Sequence, residues 1–367
     1  MATGRTIGFP RESTDGDRRT LLTPLVATHL RVAGFRVLAE SKIGAGVFLD
    51  DEEYRAAGVE FAPASDVWAC PLVLRHKMPH PADVARLAPG QAVGALFHAE
   101  GNPAMLAALR ASKVRAWSYE FFADEDGFPL ARPGGHIAGV LAVLHGAYHL
   151  QSAQGGRGVL LAAVPGADAA QVLVIGHGNV GGAAAATAAR LGAEVTVLAR
   201  GEESAVRYAE NAPAGVRVLV NTPAMLRDCL READLVIGAI LISTYDTAPM
   251  ITDEDLLLMR SGSVIVDATC GYGPGYLPTA GPVQWPGASP RTVRGVLHVK
   301  VDVLPQLVPV TAVQAYTATA APYVVRLAKV AFGGDADPVI AAGLIAADGD
   351  LMHPVLREHA AHYGTAS

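Results

Sequence analysis

Short apolar runs alternate along this chain with segments whose apolar residues recur every three or four positions. The first third has strand-like runs at 6–9, 36–39, 72–74, 92–96 and 114–117, with amphipathic helical segments at 24–32, 81–87 and 103–111 between them. Strands that alternate with helices predict a mostly parallel sheet covered on both faces. The same rhythm resumes with strands at 172–175, 194–198, 216–220, 235–239, 264–267 and 295–299. A long helix is expected over 137–154, ending at Gly155-Gly156, and a Gly- and Pro-rich loop over 271–290. From Ala312 the chain reads as helix through Leu327, with further helix at 338–347. The predicted architecture is α/β, with two Rossmann-like domains of mostly parallel sheet joined by long helices and an active-site cleft between them. Residues 1–130 with 305–367 are expected to form a discontinuous substrate domain, and 131–304 a dinucleotide-binding domain.

The second rhythm opens on the strongest local signal. After the apolar run Val172-Leu173-Val174-Ile175, the residues Gly176, Gly178 and Gly181 occupy the three positions of G-x-G-x-x-G. The first glycine permits a tight turn, the second lets backbone approach a pyrophosphate, and the third brings helix close to strand. The helix starting near Asn179 and Val180 offers unpaired N–H groups and the positive end of its dipole to an anion. The strand over 194–198 then ends in Ala199-Arg200, where an NAD-binding unit usually carries an acidic residue for the ribose hydroxyls. A carboxylate there repels a 2′-phosphate, whereas a guanidinium pairs with it, so NADP(H) is favoured and NAD(H) stays possible. Ser204 and Arg207 follow closely. The alternative is that Arg200 only starts a solvated helix.

Composition narrows the partners. Of 367 residues 51% are hydrophobic and 17% charged, enough for two sizeable cores and for subunit contacts. A formal charge of −6 speaks against a nucleic-acid partner. The cysteines Cys70, Cys229 and Cys270 are few and widely spaced, which fits a reducing cytoplasm better than a disulfide framework. No signal-peptide pattern precedes the first strand, and no apolar run approaches the roughly 18 residues of a membrane span. A cytoplasmic location is expected. The histidines lack metal-ligand spacing, so no metal is expected.

Three residues of the first domain stand where strands end or helices begin. Arg19 precedes Thr23-Pro24, Lys77 follows the run 72–74, and His98 follows the run 92–96. Ligands of open α/β sheets bind outside the carboxyl ends of strands. A guanidinium, an ammonium and an imidazole together suit a carboxylate-bearing substrate with a reacting carbonyl. Each residue alone is more often a surface charge or a satisfied histidine.

The segments GFPRESTDGDRRTLLTP, LVLRHKMP, AVGALFHA, GAYHL, QGGRGVLLAAVPG and ADLVIGAIL closely resemble the alanine dehydrogenase/transhydrogenase α-subunit family over nearly the whole chain. That family includes saccharopine dehydrogenases, whose I/V-D-x-L-P-x-L-x-P segment is similar to Val301–Pro309 here. The resemblance implies that Arg19 binds the substrate carboxylate, Lys77 contacts the oxo acid, and His98 serves as acid/base, sharing that work with Lys77 in saccharopine dehydrogenases. It also places Ile240, in ADLVIGAIL, against the cofactor.

The departures from the family pattern are informative. The aspartate expected four residues beyond Asp267 is Gly271, and Asp302 is a candidate to supply a carboxylate instead. Met-Ser-Glu of alanine dehydrogenases is Gly134-Gly135-His136, which predicts a wider pocket and makes Gly134 a substrate-binding candidate. The Asn of an Asn-Met-Pro segment is Val303. These differences tilt the expectation towards an NAD(P)-dependent oxidoreductase of the CH–NH bond that joins a 2-oxo acid to the amine of an amino acid, as saccharopine and opine dehydrogenases do. An alanine-dehydrogenase-like enzyme using ammonia and pyruvate is the alternative, and a non-catalytic NAD(P)-binding module is the alternative of another class. Family membership further implies a homo-oligomer.

Overall fold

The alternating pattern resolves into two sheets, each built in the strand order of a doubly wound fold. The computed structural model describes residues 4–78, 80–240, 242–243, 250–268, 271–272, 284, 287–301 and 303–362. They divide into one unit of Met1–Pro133 with Val308–Ser367 and a second of Gly134–Leu307.

In the first unit, β1 (Thr6–Phe9), β2 (Arg36–Ala39), β3 (Glu60–Phe61), β4 (Leu72–Lys77), β5 (Ala92–Leu96) and β6 (Arg115–Ser118) run parallel in the order β3-β2-β1-β4-β5-β6. The order reverses between β1 and β4, the switch point at which such sheets take ligands. In the second unit the strands are β7 (Gln171–Ile175), β8 (Glu194–Ala199), β9 (Arg217–Val220), β10 (Leu235–Gly238), β11 (Ile242–Ser243), β12 (Val264–Asp267), β13 (Gly271–Tyr272), β14 (Arg291–Val293) and β15 (Val296–Val299). Six of them repeat the same parallel order, β9-β8-β7-β10-β12-β15, while β14 lies antiparallel at the edge and β11 pairs with β13 separately. Finally β16 (Leu344–Ala347) and β17 (Asp350–Leu351) extend the first sheet beyond β6 as antiparallel strands.

Successive strand residues point to opposite faces, and the cores follow that period. Leu72 and Leu74 of β4 join the cluster that includes Leu22, Val26 and Leu30, whereas Val73 joins the opposite cluster with Met105 and Leu109. In the second unit Val172 and Val174 face the helix Arg132–His149 through Ala142 and Val143, while Leu173 and Ile175 meet Leu226 and Leu230. The helix Pro309–Ala331 closes the first unit, laying Tyr316, Ala320, Val324 and Leu327 on the sheet.

The structure differs from the sequence pattern in three places. β4 runs on to Lys77 because Arg75, His76 and Lys77 are buried although polar or charged. The helix expected over 338–347 stops at Ala342, and Leu344–Ala347 forms β16 instead. Asp348-Gly349, with φ of 54° and 95°, makes the tight turn into β17. Such a pair is a strong hairpin signal, hidden here by the alanine-rich run before it. The long helix occupies Arg132–His149, with a separate 3-10 turn at Ser152–Gln154.

Candidate active site

The carboxyl ends of the first sheet gather the chemistry of the first unit. Beyond β1, the Glu12 carboxylate accepts the backbone N–H groups of His76 (2.7 Å) and Lys77 (3.1 Å), which fixes the end of β4 where its register against β5 shifts. Arg75 anchors the same strand end through Asp83 at 2.7 Å and Ser13 at 2.9 Å. Burial pushes the Glu12 carboxyl up to about 7, against the opposing charge of Arg75. Beyond β5, His98 takes a left-handed backbone, φ 44°, and its N–H donates to Glu120 Oε1 at 2.8 Å. A non-glycine residue in that region is uncommon, and such strain concentrates at functional sites. The His98 side chain is 48% exposed, with Nδ1 4.0 Å from Glu120.

His76 ties these residues together. Its imidazole is held well below the usual range by burial first, then by the charges of Arg19, Lys77 and His98, with Asp17 opposing. The three groups proposed for substrate chemistry thus all act on the charge of one buried ring, which packs edge-on against Tyr316 at 4.9 Å. Among the described residues, both His76 nitrogens, Tyr119 OH, Tyr316 OH and Glu120 Oε2 are buried without a hydrogen-bond partner. Orphaned buried polar groups call for water or ligand. Neither His76 nor Glu120 stood out in the sequence, because Glu120 lies 22 residues from His98 and meets it only through the adjacency of β5 and β6.

Glu100 joins His98 and Glu120, and their ligand atoms lie within 4.8 Å of one another. A cluster with metal-ligand chemistry thus exists where histidine spacing predicted none. The strand order assembled it.

Arg19 is 6% exposed and forks onto Asp17, Nε to Oδ1 at 2.9 Å and Nη2 to Oδ2 at 2.5 Å. Burial raises the Asp17 carboxyl, but the hydrogen bonds and charge of Arg19 more than offset this and hold it at about 2. A depressed carboxyl stabilises the fold above its unfolded value near 4 and loses that contribution as pH falls towards 2. The expected loss is roughly 2 kcal/mol. Urea melts of Asp17→Asn and the unaltered chain at pH 4 and pH 2.5 should show the smaller drop in the variant. Equal drops would contradict the assignment.

In the second unit the glycine turn follows β7. Gly176 has φ 94°, and a Cβ there would lie 2.6 Å from the Ala239 carbonyl oxygen and 3.2 Å from Ile240 Cγ1. A Cβ on Gly181 would lie 2.0 Å from the Gly176 carbonyl oxygen, whereas one on Gly178 would meet nothing within 4 Å. Two glycines are thus needed for packing, and the third leaves an exposed face open at the start of the helix Asn179–Arg190. No side chain caps that helix. This cradle fits a pyrophosphate. Ile240 is placed beside the turn, and the His177 ring stacks on Tyr208 at 4.8 Å.

Arg200 directly follows β8, is exposed, and forms no hydrogen bond or ion pair to another described residue. Its neighbours are engaged elsewhere: Ser204 caps its helix through Gly201, and Arg207 pairs with Glu203. The two glycines expected to widen a pocket differ in their surroundings. A Cβ on Gly134 would find only Pro305 Cγ at 4.0 Å, but one on Gly135 would lie 2.8 Å from Asn179 Cβ. Gly135 serves the close approach of helix to glycine turn instead. Asp302 lies outside the described residues.

A glycine turn that fits a dinucleotide in one unit, and Arg19, Lys77 and His98 near the strand ends of the other, fit the class of nicotinamide-dependent oxidoreductases. Comparison with known proteins agrees. The family descriptions "Alanine dehydrogenase/PNT, N-terminal domain" and "Alanine dehydrogenase/PNT, C-terminal domain" match residues 8–138 and 142–354. The chain is 33% identical over 350 residues to the alanine dehydrogenase of Bacillus subtilis, covering 95% of this chain and 92% of the relative. It is 35% identical over 358 residues to that of Halomonas elongata, covering 96% of each. A solved L-alanine dehydrogenase superposes with a TM-score of 0.86 at 31% identity, covering 97% of this chain and 99% of that one. The transhydrogenase of Sinorhizobium meliloti shares the fold, with a TM-score of 0.74 at 22% identity over 95% of this chain and 99% of that one. The chain belongs to the alanine dehydrogenase/PNT family and is an enzyme. These relatives stand nearer the ammonia-using reading than the saccharopine-like one. No helix among the described residues is long and apolar enough to cross a membrane.

Proposed function

We propose that this chain is an amino-acid dehydrogenase that interconverts a small 2-oxo acid plus ammonia with the corresponding amino acid. The observation that carries it is the placement of Lys77 at the end of β4, His98 just beyond β5 and Arg19 in the segment after β1, three neighbouring strands of one sheet, in a chain that alanine dehydrogenases match over 95% and 96% of its length. In the reductive direction a 2-oxo acid, ammonia, a reduced nicotinamide dinucleotide and a proton become an amino acid, an oxidised dinucleotide and water. Arg19 holds the carboxylate in a charge-assisted pair, aimed by Asp17. Lys77 polarises the oxo group by donating to its oxygen. Ammonia adds to that carbon, and His98 protonates the hydroxyl of the carbinolamine so that it leaves as water. A bound reduced nicotinamide would supply the hydride for the resulting imine carbon.

Gly176, Gly178, Asn179, Val180 and Gly181 would hold the pyrophosphate, with Ile240 packed beside the turn. The exposed Arg200 supports NADP(H) as the favoured dinucleotide, because its guanidinium is available to a 2′-phosphate and no carboxylate precedes it. Arg200→Asp should weaken NADPH binding by about tenfold or more and leave NADH binding equal or tighter. Fluorescence titration reads this, and unchanged NADPH affinity would remove Arg200 from the cofactor site.

A second reading rests on the open space at Gly134, which suits an amine larger than ammonia. Dinucleotide oxidation with pyruvate, glyoxylate or 2-oxoglutarate, each with ammonia or lysine, separates the two. The expected result is turnover with pyruvate and ammonia. Turnover with lysine alone would replace this reading by the saccharopine-like one.

A further inference from the structure

One ion pair at the carboxyl ends of the second sheet has no part in holding the pyrophosphate or a 2′-phosphate. Lys300 directly follows β15, and its Nζ lies 3.0 Å from Oδ2 of Asp267, the last residue of β12. The Asp267 side chain is 1% exposed and that of Lys300 19%, so a buried carboxylate holds a lysine whose side chain stays partly open. The lysine is built in from both sides of its backbone. Gln284 Oε1 accepts the Lys300 N–H at 3.0 Å, and Gln284 N–H donates to the Lys300 carbonyl at 2.7 Å. Shortly after it, Val303 adopts φ 50°. A β-branched residue takes that conformation only where its surroundings impose it.

We propose that Lys300 hydrogen-bonds the nicotinamide end of the dinucleotide, donating to its carboxamide oxygen, with Asp267 as the positioning residue that aims the ammonium. The assignment rests on the dinucleotide reading of the glycine turn. In the order β9-β8-β7-β10-β12-β15 the pyrophosphate cradle stands at β7 and Arg200 at β8, so the adenosine half belongs to that side. The nicotinamide half then extends over the ends of β10 and β12. The ion pair draws the ammonium over the end of β12, two strands from β7, or about 10 Å at the usual strand spacing. That is the reach of half an extended dinucleotide. An ammonium has donors and no acceptor, so it takes the carboxamide oxygen rather than the amide nitrogen.

The test compares the full chain with Lys300→Met and with Lys300→Gln, which keeps a hydrogen-bonding group for the buried Asp267. Each protein is titrated with the tighter-binding reduced dinucleotide by fluorescence, and with ADP-ribose, which lacks the ring, by competition. In both variants the dinucleotide should bind about tenfold more weakly, while ADP-ribose binds as before. Lys300→Arg, a longer cation, should keep most of the affinity. Equal weakening of both ligands in both variants would overturn the assignment in favour of a structural role, and so would unchanged affinity for both. Absence of saturable binding of NADH and NADPH to the unaltered chain would overturn the dinucleotide reading itself, and the Lys300 contact with it.

Discussion

Replacing His98 by Asn lowers turnover by about 10²–10⁴-fold and leaves dinucleotide affinity unchanged. Asparagine is the informative replacement because His98 has φ 44°, a region that Asn tolerates and most side chains do not. The variant therefore keeps the backbone and the N–H to Glu120 while removing the imidazole. Since the ring is 48% exposed, added imidazole should enter and restore part of the rate. Steady-state kinetics with and without imidazole check this, alongside a dinucleotide titration. A variant within threefold of the unaltered rate would remove His98 from the chemistry, whereas a parallel loss of cofactor affinity would make its role structural.

The second large effect separates two glycines that look alike in the motif. A methyl on Gly181 would lie 2.0 Å from the Gly176 carbonyl oxygen, and backbone cannot yield as a flexible side chain does. Gly181→Ala should cost about 3 kcal/mol or more and abolish dinucleotide binding. Gly178→Ala meets nothing within 4 Å and has an ordinary negative φ, so the protein should melt as before. Its methyl still stands where the pyrophosphate must approach, so affinity should fall about a hundredfold. Thermal melts and fluorescence titration on both variants distinguish the cases. Full affinity in Gly178→Ala would refute the cradle.

Much of the fold was legible because strand and helix periods are local properties of a sequence. The runs 6–9 and 36–39 coincide with β1 and β2, and the alternation correctly implied two doubly wound sheets. What stayed hidden had a competing local signal. Arg75-His76-Lys77 ended the apolar run early, although Glu12, Asp83 and Ser13 make their burial possible. Leu344–Ala347 reads as helix by composition, yet it pairs with β6 and turns at Asp348-Gly349. Ser204 and Arg207, close behind Arg200 in the sequence, meet Gly201 and Glu203 within their own helix segment.

Sequence reading alone settled the glycine turn, the two-sheet architecture and the family resemblance, since each depends on spacing within a few residues or on motif order. Tertiary structure decided which polar groups meet. Glu120 beneath His98, His76 in the field of Arg19 and His98, and Asp267 beneath Lys300 each join residues more than twenty positions apart. Their adjacency follows from strand order and register, which bring the carboxyl ends of β5 and β6, of β1 and β4, and of β12 and β15 side by side. No local pattern of residues encodes that order.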